Sequence, residues 1–252
     1  MPDEDRPTAI VTGGGRGIGA ATALALGAAG YNVAVNFAAN ETAAARVVDQ
    51  LAALGSKAIA IRGDVSSEND VLQLFEAAER ALGPLRALVN NAGVTGGFAR
   101  VDNVTSAAIA RVLAVNVAGT ILCAREAVKR MSTRHGGRGG SIVNISSLIT
   151  RIGGAGEWVH YAASKGAVNT FTIGLAREVA AEGIRVNAVA PGLIDTSLHA
   201  DNGAPDRIER MTPSIPMQRP GTAEEAAAGV VWLLSDAASY VNGAILEIGG
   251  GR

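Results

Sequence analysis

The stretch HYAASKGA at residues 160–167 sets a phenol, Tyr161, four positions before an ammonium, Lys165. On a helix, positions i and i+4 share a face, so the Lys165 cation can lie beside the Tyr161 phenol and favour its phenolate. Such a pair can exchange a proton with a substrate oxygen. The same spacing also suits a tyrosine packed under a lysine stem whose charge reaches solvent. A second chemical stretch, TGGGRGIGAATALAL, follows the apolar run TAIVT. Glycines between a strand and a helix permit the close backbone approach that a pyrophosphate needs, and the first N–H groups of the helix face that anion. They would serve equally as a plain strand-to-helix turn. Elsewhere, His135, His160 and His199 have no partner at metal-ligand spacing, so no catalytic metal is expected. Cys123, within GTILCAREAV, reads as a small packing residue of a helix.

The elements that must position these residues alternate along the chain. Apolar runs at 8–12, 31–37, 57–65, 87–93, 141–147, 184–192 and 244–250 read as strands. Alanine-rich helical stretches separate them, at 18–30, 41–55, through Leu82, to about Arg134, through Glu182 and at 223–235. Near-continuous apolar strands joined by helices predict an α/β fold, a doubly wound three-layer sandwich around a parallel sheet of about seven strands. Residues 193–220 break the rhythm with several prolines and many charges, and a stretch of this length in a single domain predicts a substrate loop or lid. No repeat or linker divides the chain, so residues 1–252 are expected to form one domain.

Bulk properties exclude other classes. With 252 residues and 48% hydrophobic content the chain suffices for one large core. A formal net charge of −1, with both signs mixed, argues against nucleic acid or an anionic membrane as partner. The opening MPDEDRP is unlike a secretory signal, and no uninterrupted apolar run reaches the length of a bilayer span. A single cysteine allows no intrachain disulfide and fits a cytoplasmic protein.

The glycine loop meets G-x-G-x-x-[G/A] only through Gly15, Gly17 and Ala20, whereas T-G-x-x-x-G-x-G is filled by Thr12, Gly13, Gly17 and Gly19. NNAG at 90–93, Asn116 opening NVAG, Ser147 ending the fifth strand, Y-x-x-x-K at Tyr161 and Lys165, and PG at 191–192 follow in order. This set resembles the short-chain dehydrogenase/reductase family over nearly the whole chain. REAVKRM, GEWVHYAASKGAV and VWLLSDAASYVNG look like a bacterial glucose 1-dehydrogenase-like or otherwise undefined oxidoreductase branch.

The resemblance implies hydride transfer between a nicotinamide and a small carbonyl or alcohol. Tyr161 would be the acid/base, lowered by Lys165 and the oxidised ring from its ordinary value near ~10; about three units correspond to roughly 4 kcal/mol. Lys165 would also hold the nicotinamide ribose. Ser147 would donate to the substrate oxygen, although Ser146 stands beside it. Asn116 would hold a relay water, or else only bond backbone at a helix bend. The separation of fourteen from Ser147 to Tyr161 is one longer than in many relatives and implies a different loop beside the substrate.

For the cofactor, the resemblance implies contacts from Thr12, Gly13, Gly15, Arg16, Gly17, Ile18 and Gly19, then Asn36 after the second strand and Asp64 and Val65 at the adenine. Asn91, Ala92 and Gly93, with Asn90 beside them, shape the turn along the adenosine half, and Pro191, Gly192 and Ile194 reach the nicotinamide. VAVNFAAN offers no carboxylate for a ribose 2′-hydroxyl, while Arg16 can grip a 2′-phosphate, so NADP is expected over NAD.

Substrate choice is assigned to 193–220 with Glu157, Trp158, Val159 and His160; Trp158 and His160 are expected at the pocket mouth. Asp195, His199, Asp201 and Arg207, with few aromatics, suit a compact, partly polar substrate. A 3-oxoacyl-carrier-protein reductase is the alternative, with Lys129 and Arg177 docking an acidic carrier, though Glu126 and Glu178 weaken that patch. A catalytically silent nucleotide sensor is a third. The resemblance also implies a homotetramer, with small residues Ala162, Ala163, Gly166 and Ala167 on a pairing helix.

Overall fold

β1 (Thr8–Val11) and β2 (Asn32–Phe37) are buried at every position, as strands covered on both faces of a sheet must be. The computed structural model describes residues 6–197 and 204–252; His199, Asp201 and Gly203, assigned to the lid, lie outside them. β3 (Ala58–Arg62), β4 (Leu85–Asn90), β5 (Gly140–Ile145), β6 (Ile184–Pro191) and β7 (Ile245–Ile248) complete a parallel sheet in the order β3-β2-β1-β4-β5-β6-β7. The chain reverses its winding between β1 and β4, and open α/β sheets bind ligands at the carboxyl ends of strands on either side of such a point.

The helices start where the sequence offers caps. α1 (Gly17–Ala28) follows the glycine loop; α2 (Glu41–Ala53) is capped by Asn40, whose side chain accepts from the Ala43 N–H. Ser67 caps α3 (Glu68–Leu82) through the Asp70 N–H. Such caps contribute about 1 kcal/mol each. Next come α4 (Ser106–Leu113) and α5 (Thr120–Met131), then the short α6 (Ile149–Ile152), α7 (Val159–Val179), the short α8 (Arg207–Met211) inside the expected lid, and α9 (Ala223–Leu234) with a Thr222–Glu225 capping box. One apolar cluster lies on each side of the sheet: Leu74, Phe75, Leu88, Met131 and Ile142 on one, Leu26, Val33, Leu51, Val89 and Leu233 on the other.

α4 and α5 are joined without a break by a π-helical turn, Ala114–Gly119. The continuous helical run Ser106–Met131 is long and apolar enough, by length and mean hydropathy alone, to cross a bilayer, though it is not an uninterrupted apolar run. Arg111, Arg125, Glu126, Lys129 and Arg130 interrupt it, and it packs on α3, α7 and β4 as a core helix does. Glu126 is buried on it with ion pairs to Arg125, Lys129 and Arg130.

Candidate active site

A cleft of about 760 Å³ runs along the carboxyl edge of the sheet from the β1–α1 loop to Tyr161 and Arg207. That is the size of pocket that takes a cofactor with a small ligand. Gly13, Gly15, Arg16, Gly17, Ile18, Asn36, Asp64, Val65, Asn91, Ala92, Gly93, Ser147, Trp158, Tyr161, Lys165, Pro191, Gly192 and Ile194 all line it. The sequence assigned every one of these to the site.

At the glycine end the fold presents backbone. Gly13 has φ +61, which favours glycine, and a Cβ at Gly19 would overlap the Gly13 carbonyl. Neither Gly19 nor Thr12 lines the cleft; each shapes it. Thr12 Oγ1 accepts the Asn91 and Ala92 N–H groups, both at 3.0 Å, and Asn91 Nδ2 donates to the carbonyls of Thr12 at 2.9 Å and Gly13 at 3.0 Å. These bonds clip the turn after β4 to the turn after β1. The first turn of α1 has no side-chain cap and no acidic residue, so its positive end is left for an anion. Arg16 sits exposed at its N-cap.

Asn36, expected among the cofactor contacts, lines the cleft, and its amide is used on the protein. Oδ1 accepts the Gly13 N–H at 3.2 Å, and Nδ2 donates to the carbonyls of Ile61 at 3.3 Å and Gly63 at 3.0 Å. It fixes the loop. Beyond it, Ala38, Ala39 and Asn40 bring no carboxylate to the cleft. Burial pushes the Asp64 carboxyl up, but hydrogen bonds from Ser66 and Arg111 outweigh it and hold the group below its usual range. Asp64 is therefore a carboxylate acceptor at neutral pH, with Arg111 2.8 Å away.

At the other end, α7 carries Tyr161 and Lys165 against the end of β5. Buried amides link the sheet to this helix: Asn90 Nδ2 donates to Asn144 Oδ1, and Asn144 Nδ2 donates to Thr172 Oγ1, both at 2.9 Å. Ser147 hydrogen-bonds the Tyr161 phenol, whereas Ser146 turns its hydroxyl to Asn169 Oδ1 at 2.6 Å. Ser147 is thus the serine available to a substrate. Lys165 is 4% exposed and donates from Nζ to the Ile145 carbonyl at 2.6 Å, with Nζ 5.8 Å from the Tyr161 ring centroid.

In the chain alone, burial governs the protonation of this pair. Burial pushes Tyr161 up to about 12, with the Ser147 hydrogen bond and the Arg207 charge pulling the other way, and burial pushes Lys165 down to about 8. Desolvation outweighs mutual stabilisation because the ammonium is directed at Ile145. A phenol that keeps its proton at neutral pH is the form that donates to a carbonyl oxygen.

Asn116 does not line the cleft. It is buried in the π-helical turn, with Oδ1 accepting the Val94 N–H at 2.8 Å and Nδ2 donating to Val94 O at 2.9 Å and Ser164 Oγ at 3.0 Å. Its amide thereby braces the strand-to-loop turn beside Gly93 and α7. His160, expected at the pocket mouth, is also absent from the cleft wall: its Nε2 lies 2.8 Å from the Thr95 carbonyl oxygen.

Trp158 is buried yet lines the cleft, stacked on Phe98 at 4.2 Å and edge-on to Tyr161 at 5.8 Å. The Arg207 guanidinium lies 4.4 Å from the Trp158 ring centroid and pairs with Glu157, which also meets Arg210 at 3.4 Å. Phe98 and Arg252 were not foreseen. Phe98 stands alone in GVTGGFAR and Arg252 lies beyond the last motif, so neither has a local pattern. Lys129 spends its ammonium on Glu126 at 2.8 Å. Burial pushes the Cys123 thiol up to about 12, which makes it inert. Among the described residues no group of His, Cys, Asp and Glu could hold a metal.

A family model described as enoyl-(acyl carrier protein) reductase matches residues 13–252. The chain is 53% identical, over 97% of its length and 99% of the relative, to the uncharacterized oxidoreductase YgfF of Escherichia coli (strain K12). It is 38% identical to glucose 1-dehydrogenase 2 of Bacillus subtilis (strain 168), over 97% of this chain and 93% of that protein. Among solved structures it is similar to a short chain dehydrogenase from Burkholderia cenocepacia J2315 in complex with NADP, at TM-score 0.90 and 34% identity, covering 97% of each chain.

Proposed function

The chain belongs to the short-chain dehydrogenase/reductase family of oxidoreductases, and from that premise we propose that it is an NADP-dependent enzyme reducing a small carbonyl, or oxidising the matching alcohol. The observation that carries this reading is the convergence of Ser147, Tyr161 and Lys165 on one wall of the cleft whose far end is the glycine loop. The residues present fit a dinucleotide: α1 leaves its positive end for an anion, the loop backbone is bare, and Asp64 is an ionised acceptor. NADP is favoured by Arg16 and by the lack of a carboxylate after β2, and the Burkholderia neighbour was solved with NADP.

When bound, the nicotinamide supplies the hydride. The chain's own residues handle the proton and the oxygen. Tyr161 donates its phenolic proton to the substrate oxygen, Ser147 donates a hydrogen bond to the same oxygen, and the nearby charges of Lys165 and Arg207 favour the phenolate that is left. The buried Trp158, stacked on the half-buried Phe98, forms apolar wall on the substrate side. Tyr161→Phe removes the donor while keeping the ring. Turnover is expected to fall by about 10²–10⁴ with NADPH affinity nearly intact, measured by steady-state rates and fluorescence titration. Activity within a few-fold of the parent would overturn the role of Tyr161.

The protein is further proposed to be a homotetramer. Ile109, Leu113 and Ile121 are exposed along α4 and α5, Ile173 on α7, and Trp232 on α9. On α7, Ala163 is exposed and a Cβ at Gly166 would meet nothing, which leaves room for close helix approach, whereas Ala162 packs within the chain on Trp158. Light scattering at micromolar concentration is expected to give four times the chain mass; a monomer mass would reject the assembly.

A further inference from the structure

Resting on the oxidoreductase reading, we propose that the substrate is a small oxo acid, or its hydroxy acid, whose carboxylate is received by Arg207 and Arg252 at the inner end of the cleft.

Arg207 is 4% exposed and lines the cleft, and its Nε is buried without a hydrogen-bond partner. Burying a guanidinium donor without an acceptor costs stability, and a fold tolerates that where a ligand completes the bond. Glu157 engages Nη1, so the Nε edge of the fork is the edge left over. The guanidinium lies over the Trp158 and Phe98 rings, at 4.4 and 5.5 Å from their centroids, and its Glu157 pairing holds it there before any ligand arrives.

A second guanidinium, Arg252, lines the same cleft. Burial lowers its pKa first and the Arg207 charge lowers it further, while Glu157 acts in the opposite sense. Two like charges share the pocket. Among the described side chains, Arg207, Arg210 and Arg252 are set against Glu157 and Asp206, and Arg151 is balanced by Glu247 at 2.7 Å. The buried Lys165 ammonium lines the same cleft with no carboxylate partner among the described residues, so this end of the pocket is net positive and suits an anion. Arg207 is also close enough to Tyr161 for its charge to pull the phenol down. A carboxylate on Arg207 therefore places a carbonyl a few bonds away near the proton donor. Ile149, Ile152 and Leu193 supply apolar wall for the remaining carbons.

The test uses the protein loaded with NADP⁺, with which an oxo acid cannot react. Acetoacetate and levulinate are titrated against their methyl esters by calorimetry. At least one acid is expected to bind ten- to hundredfold more tightly than its ester, the range of one charge-assisted hydrogen bond. Arg207→Met and Arg252→Met should each erode that preference without weakening the ester, and Arg207→Lys should keep part of it. Binding of ester as tight as acid, no binding of any acid, or a preference that survives both Met variants would overturn the proposal. So would an Arg207→Met variant that weakens acid and ester equally, since that marks Arg207 as a strap between Glu157 and α8 only. Acid binding without NADPH turnover of any acid or carbonyl would defeat the oxidoreductase reading and leave the anion site standing. Turnover of neutral carbonyls alone would do the reverse.

Discussion

The two ends of the cleft are built from different materials. The nucleotide end is made of backbone: glycines after β1, the turn after β4, and Thr12, Asn36 and Asn91, whose polar atoms are used to hold main chain in place. The reactive end is made of side chains, with Trp158 and Tyr161 from the start of α7 joined by Phe98, Arg207 and Arg252 from segments far away in sequence. A backbone cradle depends on which residues are absent, so it takes a ligand part common to many proteins. A wall of side chains depends on which residues are present, so it can differ from one chain to the next. Cofactor recognition and substrate recognition are therefore expected to respond separately to mutation.

Arg16→Ala tests that separation with the larger effect. NADPH should be preferred over NADH by the parent, and the variant should narrow the preference by about ten- to hundredfold while the order of carbonyl substrates stays the same. Fluorescence titrations of both dinucleotides check the first part and rate ratios over a substrate panel the second. Equal binding of the two cofactors by the parent would break the NADP assignment; a reshuffled substrate order would break the separation of the two ends.

Lys165 sharpens the comparison at the reactive end, where function costs stability. Its folded pKa is pushed down to about 8 by burial, below the unfolded value of about 10.4. Between these values the unfolded chain holds one more proton than the folded chain, so parent stability should rise with pH from about 8 towards 10. Lys165→Met removes the buried charge. The variant should be more stable than the parent at pH 7 by roughly 1–2 kcal/mol, allowing for the lost bond to Ile145, and should lack the rise. Its activity should be lost. Urea unfolding at pH 7 and pH 9 checks this, and a flat parent profile would contradict the buried ammonium.

The same contrast explains what the sequence disclosed. The strands, their order in the chain and the glycine loop were legible because parallel strands buried on both faces read as apolar runs, and because a bare phosphate turn needs glycine at fixed offsets. Tyr161 and Lys165 were legible as a pair on one helix face, and it was the family resemblance that singled them out with Ser147 as a site. Asn36 and Asn116 were legible as residues but not as roles, since an amide serves ligand and protein alike and only the geometry shows Asn36 bonded to main chain and Asn116 to Val94 and the Ser164 hydroxyl. The raised Tyr161 phenol was not legible, because desolvation depends on the packing of Trp158 and Phe98 around it. His160 adjoins the phenol in sequence, yet its ring bonds Thr95 outside the cleft wall. The pairing of Arg207 with Glu157 across fifty residues has no period for a sequence to reveal.

The central claim is that the two ends work as one catalyst, and the most direct test is NADPH consumption by the purified parent over a panel of small oxo acids, aldehydes and ketones, with NADPH binding measured on the same sample. The account predicts oxidation of NADPH matched one to one by alcohol product for at least one member of the panel. Tight NADPH binding with no turnover across the whole panel would contradict it and mark the chain as a nucleotide-binding protein without chemistry.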